Sequence, residues 1–399
     1  MKIVLITTTQ PSANPRLVKE ADTFCNAGYD VTILYSYVAD WAQMADKEIL
    51  KNVKWNYIQI GGVNKRSLIY QWTRLKYGVY RKINDTLGEK FFSEKAHARC
   101  YKELLSAAVS IKADWYIGHN PGALAIAANA AKRNKAKAGF DFEDYHRGEY
   151  KNASEAGYKR QVFLEEKYGD EFIYISTASP LITQAIQADV NNKKPRFVTL
   201  LNTFPKKDQP FFHSDFKENQ LKLFWFSQHI GIGRGLELLI ECLQEMNDSS
   251  ITLTLAGNYS MIIKDQFSKL AGKFSNNIDF CGFIAPRELS NFSSHFHVGL
   301  ALEPARDINN DIALSNKIFT YLLAGNAIIF SETNAQKQFN YEYQAGVTFA
   351  IGNKVELEKC ILSFKNKLIL KHQRDRNFGL ANEFLNWETE SKKLIAIIN

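Results

Sequence analysis

The sequence has no pair of cysteines placed to act together. Five cysteines, Cys25, Cys100, Cys242, Cys281 and Cys360, are scattered along 399 residues, with no C-x-x-C pair among them. An odd, dispersed set excludes a disulfide framework and a structural zinc module, and it fits reduced thiols in the cytoplasm. No apolar run reaches the length that spans a bilayer. The N-terminus enters a short buried-type strand at once, without the apolar stretch and small-residue cleavage site of a secretory signal. Solenoid-period repeats and low-complexity tracts are also missing. No cluster has metal-ligand spacing, so no metal is expected.

What is present suits a protein of two α/β domains. A chain of 399 residues with 45% hydrophobic content exceeds the usual single-domain size and has enough apolar surface for two cores. Fifty Lys and Arg against 42 Asp and Glu leave a formal charge of +8. That balance suits nucleotide phosphates, phospholipid headgroups or nucleic acid, and does not choose among them.

Two segments begin alike. Residues 2–7 read as a buried strand running into a polar turn. Asn14 and Pro15 then open a helix as N-cap and first residue. Leu17, Ala21 and Phe24 form its apolar stripe, Gly28 ends it, and Asp30–Tyr35 follows as a strand. Past the middle of the chain, Leu221–Phe226 is again strand-like. It leads into the glycine-rich turn Ser227–Glu237, which carries Gly231, Gly233 and Arg234 ahead of an amphipathic run. Such a turn gathers backbone N–H groups, a helix N-terminus and a cation, the components of a phosphate site. In isolation it is equally well a tight connection.

Further strands are expected at Trp115–Gly118, Phe172–Ser176, Phe197–Leu201, Ile251–Gly257, Ile278–Gly282, Val298–Leu302 and Ala327–Phe330. Helices are expected after His119-Asn120-Pro121, at Asn316–Leu323 and, amphipathic, at Phe384–Ile398. The alternation predicts parallel sheets covered on both faces. A shift to Pro, Lys, Asp, His and Ser between Thr203 and Asn219 reads as a linker. The expected organisation is an N-terminal domain at 1–205, a linker at 206–220, a C-terminal domain at 221–382 and a final helix at 383–399 crossing back.

Several of these segments, in order, resemble glycosyltransferase family 4, the retaining GT-B enzymes that use nucleotide-sugar donors. The likeness is carried by Asn14–Ala21, Trp115–Asn120, Phe140–Tyr145, Ser176–Ser179 and Leu201–Pro205 in the first half. Ala256-Gly257, Cys281–Phe283 and Asn316–Gly325 carry it in the second. The resemblance implies an α/β fold of GT-B architecture, with two Rossmann-like domains facing each other across a cleft. It also implies transfer of a sugar from a UDP- or GDP-sugar, with retention, to a glycan or lipid-linked glycan acceptor in cell-surface polysaccharide biosynthesis. No cofactor is implied beyond the nucleotide-sugar substrate.

Site residues follow from the same likeness. The glycine turn, with Gly231 and Gly233, would lie against the donor diphosphate. Arg234 stands where the family has a lysine, while Gln228 or His229 takes the place of the family's first cation. His119, at a strand end, matches a histidine that positions the transferred sugar; taken alone, such a histidine is more often structural. Asn316-Lys317 opens a helix after Ser315, and a lysine set against the helix dipole makes sense if an anion also binds. Many family members carry two glutamates separated by seven residues. Here Thr320 holds the second position and Ile312 lies eight residues earlier, which leaves Asp311 or Glu303 as the nearest carboxylate for the ribose. Arg16 reads either as solvated or as a phosphate or acceptor contact, a role shared with Asp144.

Asn64–Asn84 carries Lys65, Arg66, Arg74, Lys76, Arg81 and Lys82 with no acidic residue, and Leu68, Trp72, Leu75, Val79 and Ile83 share one helical face. It is either a helix packed on its own domain with a solvated basic face, or an element that meets anionic headgroups at the inner face of the cell membrane. Nothing resembles a nucleic-acid-reading module. Two other functions remain open on this pattern: a nucleotide-sugar epimerase, and a non-catalytic scaffold that keeps the fold and binds nucleotide.

Overall fold

From Ile3 onward the first strand is buried on both faces, as a central strand of a parallel sheet must be. A computed structural model describes residues 1–190, 194–212 and 220–399. They form two units, Met1–Leu200 with Ser391–Asn399, and Leu201–Glu390. No helix among the described residues is long and apolar enough to cross a membrane.

The first unit is built on seven strands: β1 (Lys2–Thr7), β2 (Asp30–Ser36), β3 (Asn56–Ile60), β4 (Trp115–His119), β5 (Lys137–Glu143), β6 (Tyr174–Thr177) and β7 (Arg196–Thr199). They run parallel in the order β3-β2-β1-β4-β5-β6-β7. The helix Pro15–Asn26 begins as its sequence dictates, with the Asn14 side chain accepting from the Leu17 N–H. Its Leu17, Ala21 and Phe24 join Ile3, Leu5 and Ile33 in one core, which is completed by Leu394 and Ile398 from the end of the chain.

In the second unit the strands are β8 (Leu221–His229), β9 (Ile251–Asn258), β10 (Ile278–Gly282), β11 (Val298–Ala301), β12 (Ala327–Ser331) and β13 (Gly346–Phe349). They too are parallel, in the order β10-β9-β8-β11-β12-β13. Leu223, Trp225, Leu253, Leu300 and Ile329 from the sheet pack with Leu239, Ile240 and Leu243 of the helix Leu236–Met246.

Four expectations need correcting. Phe384–Ile398 is not one helix: Lys367–Glu383 ends first, and a new helix begins at Trp387, where Asn386 Oδ1 accepts from the Thr389 N–H and hydroxyl. The strand expected from Phe172 begins at Tyr174, because a 3-10 turn occupies Gly169–Glu171. Asn120 does not cap the helix that follows it. It takes a positive φ of 61° and turns its amide to the first strand's turn instead, accepting from Thr8 Oγ1 and donating to Thr7 and Thr9 Oγ1. Finally, β3, β5 and β13 add strands where none was expected. Of the expected linker at 206–220, Lys206–Asp208 is a short 3-10 turn, and residues 213–219 lie outside the described residues.

One close approach shows how tightly the second sheet is covered. A Cβ on Gly299 would fall 2.2 Å from the buried Tyr321 ring, whose hydroxyl sits 3.2 Å from the Phe224 carbonyl and 3.3 Å from that of Leu300. Gly299→Ala must push that ring out of place, and is expected to destabilise the second unit by about 3 kcal/mol in urea unfolding. Tyr321→Phe, which removes only the hydroxyl, should cost about 1 kcal/mol.

Candidate functional site

In an open parallel sheet, ligands bind beyond the carboxyl ends of the strands where the strand order reverses. In the first unit that point lies between β1 and β4, where Thr7 pairs with His119. In the second it lies between β8 and β11, which end at His229 and Ala301. The residues singled out from the sequence fall at or beside these two points.

At the first, His119 is buried between two carboxylates. Its Nε2 lies 3.2 Å from Glu20 Oε2 and its Nδ1 3.5 Å from Asp141 Oδ2. Arg16 is buried beside them, with Nε 2.7 Å from Asp141 Oδ2, 3.8 Å from Glu20 Oε1, and Nη1 donating to the Leu200 carbonyl. Ser176 Oγ donates to the other oxygen of Asp141. Glu20 lies one helical turn past Arg16, Asp141 is on β5, and Ser176 is on β6, so four elements hold the group. Burial alone would push the histidine pKa down, but the Glu20 charge and the contacts with Asp141 and Glu20 hold it up at about 9. Asp141 stays well below the usual carboxylate range because Arg16 and His119 outweigh its burial.

Glu20, His119 and Asp141 bring ligand-type atoms within 4.8 Å of one another, the spacing of a metal site. Arg16 pairs with Asp141 in the same place and approaches Glu20, while both His119 ring nitrogens and both Glu20 oxygens are buried without a hydrogen bond of good geometry. Sequence reasoning singled out Arg16 and His119 and missed Glu20, Asp141 and Ser176. The i,i+4 spacing of Arg16 and Glu20 was a usable signal. Asp144 is half-buried just past β5, its N–H donating to the Phe142 carbonyl.

At the second point, Gly233 and Gly235 take positive φ angles of 75° and 78°, and a Cβ on Gly235 would stand 3.2 Å from that of Leu302. The turn therefore closes against the loop that follows β11. The Gly233 N–H donates to Glu237 Oε1, and Arg234 Nη1 donates to Ser227 Oγ at 3.1 Å. Gln228 is exposed, its carbonyl accepting from Asn258, and Gly231 has open space beside it. From the other side, Lys317 Nζ lies 2.7 Å from Glu303 Oε1 and 3.4 Å from Ser315 Oγ, over the Trp225 ring. Glu303 Oε2 accepts from Asn310. Burial would raise the Glu303 pKa, yet the Lys317 charge and these hydrogen bonds hold it below the ordinary value.

Ser315 caps the helix Asn316–Ala324 by accepting from the Lys317 N–H, and Asn316 Oδ1 accepts from Asn202. Thr320 is buried and donates back to the Asn316 carbonyl. Asp311 accepts from the Asn334 N–H and side-chain amide. Of the two candidate carboxylates, the structure thus brings Glu303 to Lys317 and ties Asp311 to Asn334.

Two Rossmann-like units, each with polar side chains at its switch point, define the class of fold. Solved structures of glycosyltransferases share it over nearly the whole chain. HepE from Anabaena, crystallised with UDP and glucose, matches with a TM-score of 0.69 at 14% identity, covering 99% of this chain and 98% of that one. A glycosyltransferase from Rickettsia africae matches at 0.69 and 11% identity, covering 100% and 97%. A TarM variant from S. aureus, crystallised with Fondaparinux, α-GlcNAc-glycerol and UDP, matches at 0.68 and 10% identity, covering 100% of both chains. The fold is GT-B. No protein-family profile matches the sequence, and no curated protein matches it.

The buried quartet ties stability to pH. With its folded pKa raised to about 9 from 6.5, His119 contributes stability that is full below pH 6.5 and lost as pH rises through about 9. Lys19, lowered to about 7 by burial and the Arg16 charge, titrates in that window with the opposite sign. The measurement is therefore the difference between wild type and His119→Gln in urea unfolding from pH 6 to 10. Wild type should lose about 3 kcal/mol more than the variant across that range. Parallel curves would show that His119 is not charged in the fold.

Proposed function

We propose that the protein is a Leloir glycosyltransferase that moves a sugar from a nucleotide-diphosphate donor, with retention of configuration, to a glycan or lipid-linked glycan. The carrying observation is the cation pair at the second unit's switch point. Arg234 stands in the glycine turn after β8, and Lys317 at the start of the helix Asn316–Ala324, held by Glu303 and Ser315. Two cations, turn amides and helix N-termini are what a diphosphate needs, and they supply it without a metal. Glu303 fixes the Lys317 amine through one of its three N–H groups and offers its remaining lone pairs to a ribose hydroxyl. HepE and TarM were crystallised with UDP, which supports uridine as the donor base.

The first unit takes the acceptor in this reading, at the inner face of the cell membrane, for a step in cell-surface polysaccharide synthesis. Arg16 and His119 act there as positioning residues. Both are buried among carboxylates, and they set the floor beneath Asn120 and the Thr7–Thr9 turn, whose polar groups line the end of β1. The leaving diphosphate accepts the acceptor's proton, so no protein base is assigned.

Titration with UDP, GDP and ADP, followed by melting temperature, tests the donor site. One of the uridine or guanosine diphosphates should raise the melting temperature, and Arg234→Ala or Lys317→Ala should each weaken its binding by about 10- to 100-fold, as expected for a lost charged hydrogen bond. Absence of any nucleotide effect would overturn the donor site, nucleotide binding without release of nucleotide from a sugar donor would leave a scaffold, and interconversion of free sugars without acceptor would identify an epimerase. Retention is read from the anomeric proton coupling of the product.

A further inference from the structure

The helix Leu68–Leu87 is amphipathic in the reverse of the usual sense. Its inward face is polar and aromatic: Thr73 and Asn84 are the buried residues, Arg99 donates to Thr73 Oγ1, the Asn84 amide donates to Phe91 O and Ser93 Oγ, and half-buried Tyr70 and Tyr80 pack on Tyr37 and Phe92. Its apolar stripe points away from the unit. Leu68 is 83% exposed, Trp72 and Leu75 60%, and Val79 51%, and these positions fall on one side of an α-helix. A solvent-facing stripe of this kind loses free energy to water along its length, and a folded chain keeps one where something else covers it.

The surrounding charges indicate what that is. Lys82 flanks the stripe on one side and Lys76 on the other, Lys65 and Arg66 stand at its start, and Arg74 and Arg81 lie farther round the helix. Arg66, Arg74 and Lys82 have no carboxylate within 4 Å among the described residues, while Lys76 pairs with Glu103 and Arg81 approaches Asp85. Next to the helix start, Gln43 donates to the Val63 carbonyl and Lys65 approaches Asp40. That corner also exposes Trp41, Met44 and Val63. A second copy meeting this face in an isologous dimer would set the same cations against each other. Nucleic acid would satisfy the cations but not the apolar stripe. A bilayer rich in anionic lipid satisfies both, with acyl chains under the leucines, the indole of Trp72 at the interface and phosphates against the flanking cations.

We infer that Leu68–Leu87 is a membrane-docking helix that lies in the interface of an anionic bilayer, apolar stripe down. The inference rests on the helix alone and holds whether or not sugar transfer is the reaction. Cosedimentation of the full chain with vesicles, without donor, tests it. Vesicles of phosphatidylcholine with about 30% phosphatidylglycerol should bind at least about tenfold more protein than phosphatidylcholine alone, and roughly 0.5 M salt should abolish the difference.

Arg66→Glu with Lys82→Glu should weaken binding by about fivefold or more per charge, and Trp72→Ser with Leu75→Ser by about tenfold, both with unchanged melting temperature. Quenching of tryptophan fluorescence by brominated lipid in the unaltered protein gives the same answer without a variant. Absence of vesicle binding, indifference to the anionic lipid, or indifference to both pairs of substitutions overturns the inference. So does a dimer in sedimentation equilibrium that Trp72→Ser disperses, which would assign the face to a second copy.

Discussion

A parallel sheet can reverse the direction in which its strands are added, and where it does, two neighbouring loops part on opposite faces and leave a crevice at the strand ends. Both sheets of this protein depend on that single constraint. In the first, it sets the Thr7–Thr9 turn beside His119 and Asn120. In the second, it sets the glycine turn beside the loop that carries Glu303. Away from their carboxyl ends the central strands are apolar on both faces.

The two openings solve opposite electrostatic problems. In the first unit Arg16, Glu20, His119 and Asp141 are sealed from solvent, and Arg16 and His119 each have two carboxylates within 4 Å. Breaking a buried pair of this kind strands a charge in a poorly polarisable interior. In the second unit the Lys317–Glu303 pair keeps some exposure, at 11% and 15% for the two side chains, and among the described residues Arg234 hydrogen-bonds to the neutral Ser227 hydroxyl and to no carboxylate.

Much of the fold was legible because local signals agreed with it. Asn14 and Pro15 start a helix, Gly28 ends it, and apolar runs of four to six residues mark the central strands. The strands that escaped notice are those whose neighbours decide them. Asn56–Ile60 shows no buried residue and is a strand only because β2 offers it an edge. Lys137–Glu143 begins with a lysine and carries acids among its apolar residues. The site was half legible for the same reason. Glycines, cations and the histidine stand out in a linear reading, but the Arg16–Asp141 pair joins residues 125 apart and has no signature in either segment. The helix at Leu68–Leu87 shows a further limit: its periodicity reveals an apolar face, but not whether that face turns inward or outward.

The first unit's core contains Leu394 and Ile398 beside Ile3, Leu5 and Leu17. During synthesis, the residues that begin this core leave the ribosome long before those that finish it. Until the last helix emerges, the sheet built around β1 stands with part of one face uncovered, while the second unit, contiguous in sequence, can already close. The half of the molecule made first is therefore the half completed last, and in that interval it is the part most exposed to chaperones and proteases.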